Sequence, residues 1–517
     1  MRYLGLELGS TRIKSCAINS EGEIVATGVH EWENQLVNGH WSYSLEQIWE
    51  GVQHSYSDLC RNLGEYPETW AAIGLSAMMH GYLAFNRDGV LLTPFRTWRD
   101  TTTGSAARKL SQLFGVNVPL RWSIAHHYQA ILDQENHVRN LDFLTTLAGY
   151  VHWQLTGSKV LGIGDAVGMF PIDSDSLDYD SQKLNQYQNL TGIDMRKHLP
   201  RVLVAGEEAG TLSREGAKLL DPTGHLQPGI PLCPPEGDAG TGMVATNSIN
   251  PRTGNVSVGT SIFAMVVLEK SLTSSHPELD PVATPDGHPV AMVHCNNGTN
   301  ELNAWMGVFA EAVNLVSGKP KVSTDTLYSV LFQETLKADT DGGGLTTCNY
   351  LSGEPIVRLS KGHPLIIREV DSRLNLGNFL RSQVFTVFAT LALGMKILHE
   401  EGVKIDSLAA HGGFFRTAEV GQRLLAAALD TPISIAESAG EGGAWGAALL
   451  ARSLHTEGSL SEYLATEIFN QEKQNVSQPR QEDKEGFEDF LARFVAALEI
   501  QPEIIRAMSD TTATGNM

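Results

Sequence analysis

The chain has 517 residues, 42% of them hydrophobic and 19% charged. That is enough for two to four domains at roughly 150 residues each, with interiors that need no disulfide or metal staple. Its 59 acidic against 38 basic residues give a formal charge of -21, a field that repels phosphate polymers and anionic lipid and so excludes nucleic acid and membrane surfaces as expected partners.

The first elements form a meander. Segment 3–8 (YLGLEL) reads as a strand ending at Gly9-Ser10-Thr11, segment 12–18 (RIKSCAI) alternates, and a turn at 19–22 leads into EIVATGV, which predicts three antiparallel strands. Residues 44–63 open with Ser-x-x-Gln and place Leu45, Ile48, Trp49, Val52, Tyr56 and Leu59 at helical spacing, the pattern of a capped amphipathic helix on a sheet. Strand character returns at 71–78 and 81–95, with Asp88-Gly89 as a turn signal. A polar break at 247–255 precedes a second glycine-turned hairpin, GNVSVG and SIFAMVVL, followed by helical patterns at 380–400 and 417–430. The second half thus opens as the first does, and a structural duplication is expected. Segment 484–500 sets Phe487, Phe490, Leu491, Phe494 and Leu498 on one helical face, a terminal helix over 481–508, and 509–517 reads as a disordered tail. No apolar run of the ~20 residues that span a bilayer is expected. The N-terminal segment lacks an export-signal pattern, and five scattered cysteines read as reduced. A cytoplasmic location is the expectation.

Four glycine clusters stand out among the 50 glycines. In the first, Gly9 permits a tight turn at which backbone N–H groups and the hydroxyls of Ser10 and Thr11 can meet an anion, with Lys14 nearby and Glu7 placed to hold a cation. In the second, PEGDAGTG at 235–242, Asp238 is either a helix cap or a carboxylate at a strand end where substrate can approach. The third, 254–261, repeats the hairpin logic with Gly259, Thr260 and Ser261. In the fourth, Gly412-Gly413 before Phe414 suits either a flat ring against backbone or a strand-to-helix turn, and ESAGEGGAWGAA follows at 437–448. P-loop, dinucleotide-fold and zincin fingerprints are missing, and His126, His127 and His137 lack zinc-ligand spacing. Segment 294–305 (HCNNGTNELNAW) reads as a substrate-side or interface loop.

In this order the four clusters resemble the FGGY carbohydrate kinases, a branch of the actin/Hsp70-like ATPase superfamily, from about residue 3 to about residue 455. The resemblance implies an α/β fold of two actin-like (ribonuclease H-like) lobes with a central interdomain cleft. The lobes would be residues 1–246, carrying sugar and the first phosphate loop, and 247–480, carrying nucleotide. It implies ATP and Mg2+ as cofactors, with Gly9, Ser10, Thr11, Lys14, Gly259, Thr260, Ser261, Gly412, Gly413 and Phe414 on ATP. Glu7, in the place of the family's usual Asp, would hold magnesium together with Asp238. Asp238 would also be the general base, and Met79, His80, Trp98 and Asp100 would meet the sugar. On the residues alone, His80 at a strand end reads as a structural histidine. Ala77 and Met78 stand where the family more often has Gly and Gln, and Thr102 where it has Arg.

The activity so implied is transfer of the γ-phosphate of ATP to the terminal hydroxyl of a ketopentose such as D-xylulose or L-ribulose. The in-class rival acceptors are glycerol, erythritol, gluconate or a longer ketose; outside the class stand a non-catalytic ATP- or sugar-binding sensor and a chaperone-type ATPase. The expected partners are the sugar and ATP, and a homodimer is the candidate assembly.

Overall fold

The computed structural model describes residues 1–317, 322–417, 419–435, 442–470 and 475–514. Its contacts divide the chain into two compact units.

In the first unit, the expected meander forms as β1 (Tyr3–Leu8), β2 (Arg12–Ile18) and β3 (Ile24–Glu31), paired antiparallel in sequence order. The helix Leu45–Leu63 (α1) follows, with both halves of the Ser44/Gln47 capping box made and Gly64 closing it at φ 82°. It buries Ile48, Val52, Tyr56 and Leu59 in the core formed with Leu4, Leu6 and Ile13. The chain then returns as strand Ile73–Ala77, parallel to β1, and later as Glu236–Gly237, parallel to that strand. The resulting order is Glu236–Gly237, Ile73–Ala77, β1, β2, β3. Parallel neighbours put their C-terminal ends at one edge, so Glu7, Ala77 and Gly237 arrive together. Asp88-Gly89 makes its hairpin turn, with Gly89 at φ 76° and antiparallel bridges Tyr82↔Arg96 and Phe85↔Leu91 across it; on its other edge Leu83–Phe85 pairs with Phe143–Thr145.

The second unit repeats this order. Thr253–Val258 and Ile262–Val267 form the hairpin, and Ser407–His411 and then Ile433–Ile435 add in parallel on the far side of Thr253–Val258. Strand Pro289–Cys295 lies beyond Ile262–Val267. A hairpin, a further strand on its second member, and two parallel additions on the first strand's free edge are thus common to both sheets, the second sheet adding Leu279–Ala283 at one margin and Val476–Ser477 at the other. Helices Leu376–Glu400 and Val420–Leu429 occupy the segments expected to be helical. The helix Gln481–Leu498 packs Phe487 and Phe490 on Phe385, with ring centroids 5.1 and 5.4 Å away. Helix Leu376–Glu400 is the one described helix long and apolar enough to cross a membrane, against the sequence expectation of none, but its apolar window is 78% buried in protein.

Two boundaries differ from the sequence reading. The first unit is not confined to 1–246: it also takes Val267–Ala291 and Ser438–Glu472. The reason is the helix Gly442–Ser453, whose small residues allow backbone-to-backbone approach to the first sheet. A Cβ on Gly5 would stand 2.0 Å from the Ala444 carbonyl oxygen, one on Gly74 1.9 Å from that of Ala447, and one on Gly446 2.1 Å from that of Thr241. At the C-terminus, the single helix expected over 481–508 is two, Gln481–Leu498 and Gln501–Thr514. The second runs into the segment read as a disordered tail; residues 515–517 lie outside the described residues, as do 437–441 of the fourth glycine cluster.

Candidate active site

The first glycine hairpin is tied from behind by aromatic side chains. Trp32 Nε1 donates to the Gly9 carbonyl at 2.7 Å, the Trp32 backbone N–H to that of Thr11 at 3.1 Å, and the Tyr43 hydroxyl to that of Ser10 at 2.5 Å. Trp32 and Tyr43 stack with centroids 4.0 Å apart. With all three carbonyls so engaged, the turn cannot swing its acceptors toward an anion. Glu7, Gly9, Thr11, Arg12, Lys14 and Trp32 line one open groove, and Glu7 sits opposite Lys14 in the β1–β2 register.

Asp238 begins the helix Asp238–Ala245 directly after strand Glu236–Gly237. Its Oδ1 accepts from the Met79 backbone N–H at 3.3 Å. The side chain is open to solvent on one side, yet it is set deep enough that burial raises its pKa, opposed by backbone N–H groups of Met79, Ala239 and Asp238 and by the Arg121 charge. Met79 serves this site through its backbone: its side chain packs against Gly237, where a Cβ would fall 2.1 Å from Met79 Cγ. Glu7 lies on the second strand over, with Ser76 between in register, so the strands carrying Glu7 and leading to Asp238 run roughly 10 Å apart. Thr241 bridges them: its hydroxyl meets Ser76 Oγ at 2.7 Å and donates to the Gly237 carbonyl at 3.2 Å. Glu7 Oε2 accepts from the Ala444 N–H at 3.2 Å. Carboxylates on strand ends two positions apart in the sheet, with hydroxyls nearby, suit a magnesium ion that keeps most of its waters. Among the described residues no group of three or more His, Cys, Asp or Glu gathers to hold a metal.

The sugar-side residues divide. His80 is a left-handed residue, φ 69°, followed by Gly81 at φ 91°. A non-glycine residue held there marks a site the surrounding structure over-determines. Its ring is buried against Gly168, and burial, then the Arg121 charge, pushes its pKa well below the usual value, so it acts as a neutral imidazole. Trp98 is 40% exposed and its indole N–H donates to Ser10 Oγ at 2.9 Å, which joins the sugar-side segment to the phosphate hairpin.

Asp100, another expected sugar contact, is held by its own neighbours. It is 2% exposed, Oδ1 accepts from the Thr102 N–H and hydroxyl at 2.8 and 2.7 Å, and Oδ2 pairs with His40 Nδ1. Burial works to raise its pKa, but the Thr102 bonds and the neighbouring histidines outweigh it and hold the carboxyl low. These bonds brace its carboxylate between His40 and Thr102. His40, 60 positions away, carries no local signal.

Two further carboxyls lie behind Asp238. Asp165 is fully buried, with Oδ2 accepting from Thr146 Oγ1 at 2.6 Å and Oδ1 without a partner; burial raises its pKa to about 8. Glu236 is 1% exposed, accepts from the Gly164 N–H at 3.4 Å, and is pushed far up by burial and by Asp165. Glycine makes room for them: a Cβ on Gly162 would lie 2.2 Å from Glu236 Oε1. Arg121, whose charge reaches both His80 and Asp238, is ion-paired with Asp280.

In the second unit, the hairpin tip is closed by Gly259 N–H donating to the Ser261 carbonyl at 3.0 Å. Gly412 adopts φ 115°, and a Cβ there would stand 2.5 Å from the Val258 carbonyl oxygen, so the fourth cluster runs backbone-close to the end of the hairpin's first strand. Gly413 has open space around it. Phe414, expected beside ATP, is 8% exposed and packs on Phe332 and Phe388, centroids 5.3 and 5.5 Å away, as an apolar ring after a strand end is drawn into the helical core. The histidines near 130 are core residues. His127 Nδ1 meets the Tyr187 hydroxyl at 2.6 Å and His137 Nε2 that of Tyr82 at 2.9 Å.

Two sheets of one plan, each opening on a glycine hairpin, make a two-unit actin-like (ribonuclease H-like) fold. Sequence profiles described as "FGGY family of carbohydrate kinases, N-terminal domain" and "C-terminal domain" match residues 2–244 and 254–454. The chain belongs to the FGGY family of carbohydrate kinases. It is 23% identical over 482 residues to a xylulose kinase of Escherichia coli (strain K12), covering 89% of this chain and 92% of the relative. Among solved structures, a xyloylose kinase from Brucella ovis superposes with TM-score 0.78 at 19% identity, over 96% of this chain and 98% of the other. A gluconate kinase from Lactobacillus acidophilus gives TM-score 0.78 at 18% identity, over 96% and 97%.

Proposed function

We propose that this carbohydrate kinase transfers the γ-phosphate of ATP to the terminal hydroxyl of a ketopentose, D-xylulose or L-ribulose. The observation that carries the reading is Asp238 at a strand end, oriented by the Met79 N–H and open to solvent. Phosphoryl transfer passes through a loose transition state, so acceleration comes from positioning and charge neutralisation more than from proton removal. Asp238 orients the attacking hydroxyl and accepts its proton late. Each glycine hairpin offers phosphate oxygens its backbone N–H groups and its hydroxyls, Ser10 and Thr11 in the first unit and Thr260 and Ser261 in the second. Glu7 and Asp238 would hold magnesium through its waters, and the ion would neutralise charge on the transferring phosphoryl group.

Acceptor chemistry follows from charge. Because Arg121 is paired with Asp280, the positive charge nearest Asp238 and His80 is already neutralised. A neutral polyol chain is therefore favoured over an aldonate, whose carboxylate would need an unpaired cation. His80 as a neutral imidazole and Trp98 with an exposed ring face suit hydroxyls and a carbon backbone respectively.

The test is coupled ADP release with D-xylulose, L-ribulose, D-ribulose, L-xylulose, glycerol and gluconate, with Asp238→Ala as control. Turnover on one ketopentose, abolished by the substitution, is expected. Preference for gluconate or glycerol overturns the acceptor assignment. Sugar binding without ADP release makes the protein a sensor.

A further inference from the structure

Segment 294–305 lies outside the functions assigned so far, and its middle is tied to the second phosphate hairpin. The Gly298 N–H donates to the Thr260 carbonyl at 2.8 Å. The Thr299 N–H and hydroxyl donate to the Gly259 carbonyl at 2.9 and 3.1 Å. Contact is so close that a Cβ on Gly298 would stand 2.2 Å from the Gly259 oxygen. Residues 298 and 299 therefore do for this hairpin what Trp32 and Tyr43 do for the first: they engage its carbonyls.

The turn is itself clamped by buried polar groups. Glu354, fully buried, accepts on Oε2 from the Asn296 N–H (3.0 Å), the Asn297 N–H (3.2 Å) and Asn297 Nδ2 (3.0 Å). Asn349, 2% exposed, donates Nδ2 to the carbonyls of Asn297 and Gly298 at 3.2 and 2.9 Å. Asn297 Oδ1 in turn accepts from the N–H groups of Leu351 and Ser352 at 2.9 and 3.0 Å. A buried carboxylate that spends its bonds on one turn is an expensive support for a mere connection, since each such group must recover its desolvation cost through those bonds.

We propose that Asn297, Glu354 and Asn349 are positioning residues for nucleotide: through residues 298 and 299 they fix the peptide planes of Gly259 and Thr260 against which the phosphate chain of ATP is held. The inference rests on the kinase reading above. Phosphate bonds to backbone N–H groups are sensitive to peptide orientation, because a rotated plane presents its carbonyl oxygen, an acceptor, to an anion.

The test compares Thr299→Val, Glu354→Gln and Asn297→Ala with wild type by calorimetric binding of ADP and MgATP, and by KM for ATP and for the sugar. Loss of charge-assisted bonds behind the hairpin is expected to raise KM for ATP about tenfold in Glu354→Gln while KM for sugar stays within about twofold. Thr299→Val removes one hydroxyl bond and keeps the volume, so it is the variant that folds if the buried replacements do not; its KM for ATP is expected to rise about threefold. Folded variants with unchanged KM for ATP, or with both KM values shifted alike, overturn this inference alone. A wild-type chain that binds neither ADP nor MgATP overturns the kinase reading and this inference with it.

Discussion

The Met79 backbone N–H donates to Asp238 Oδ1 at 3.3 Å, across 159 positions of sequence. A carboxylate aimed by main chain keeps its orientation whatever the Met79 side chain does, and the proposed reading makes this one the base. Asp238→Asn preserves shape and the Met79 bond while removing the proton acceptor. Turnover is expected to fall about a thousandfold with ADP affinity within about threefold of wild type, read by coupled assay and calorimetry. A variant retaining a tenth of wild-type turnover would remove Asp238 from the reaction.

Glu7 Oε2 is held by the Ala444 N–H, and the proposed reading gives its charge to magnesium. Glu7→Gln keeps an acceptor for that N–H and removes the charge. The magnesium concentration for half-maximal rate, at fixed ATP, is expected to rise about tenfold with Tm nearly unchanged. An unchanged magnesium dependence would place the ion elsewhere.

His80 at φ 69° pays for a left-handed backbone in addition to its buried ring. His80→Ala keeps that strain and loses the imidazole, whereas His80→Gly loses the imidazole and relieves the strain. The glycine variant is expected to be about 1 kcal/mol the more stable of the two in urea unfolding, with KM for sugar raised in both. Equal stability would mean the loop relaxes without the ring.

Gly412, at φ 115° with the Val258 oxygen 2.5 Å from where a Cβ would sit, leaves no room for alanine. Gly412→Ala is expected to cost about 1–3 kcal/mol and to weaken ADP binding more than sugar binding. Gly413→Ala, in open space, is the control expected to leave stability within about 1 kcal/mol of wild type.

Stability should respond to pH with two opposite signs. His126 and His127 are fully buried, and burial foremost holds both pKa values down at about 3. Below the unfolded value of about 6.5 the unfolded chain takes up protons the folded chain refuses, so stability is lost as pH falls from about 6.5 toward 3, by up to about 1.4 kcal/mol per pH unit for each ring. Asp165, raised to about 8 by burial, works the other way: the folded state keeps a proton the unfolded chain has lost, so this group's contribution declines as pH rises from about 4 to 8. Urea unfolding from pH 5 to 8.5 should show a steeper acid limb for wild type than for His126→Asn, and a shallower alkaline decline for Asp165→Asn.

What the sequence carried was local. The Ser44/Gln47 capping box, the glycine turns and the alternating strands follow from residues within a few positions of each other, and the four glycine clusters fell into order because each sits at a strand end. Other features escaped because their partners are remote. Asp100 looks like a free carboxylate until His40 is placed beside it, and Thr102, a departure from the family pattern, turns out to satisfy it. Phe414 borders two flexible glycines, yet Phe332 and Phe388 draw its ring inward. Glu236 stands two residues from Asp238 and is wholly buried, a difference that only the glycines at 162 and 164 explain. Segment 294–305 reads as a substrate-side or interface loop, yet it is the end of strand Pro289–Cys295, a short turn and the start of helix Asn300–Ser317; the turn's partners at 259–260 and 349–354 lie tens of positions to either side.

The close contact of Gly5 and Gly74 with the helix Gly442–Ser453 has a consequence for biosynthesis. The half of the chain that leaves the ribosome first cannot complete its own packing until residue 453 has also emerged, so a nascent chain stopped near residue 250 would carry a sheet with one face bare. Maturation of the first unit thus waits on nearly the whole of translation.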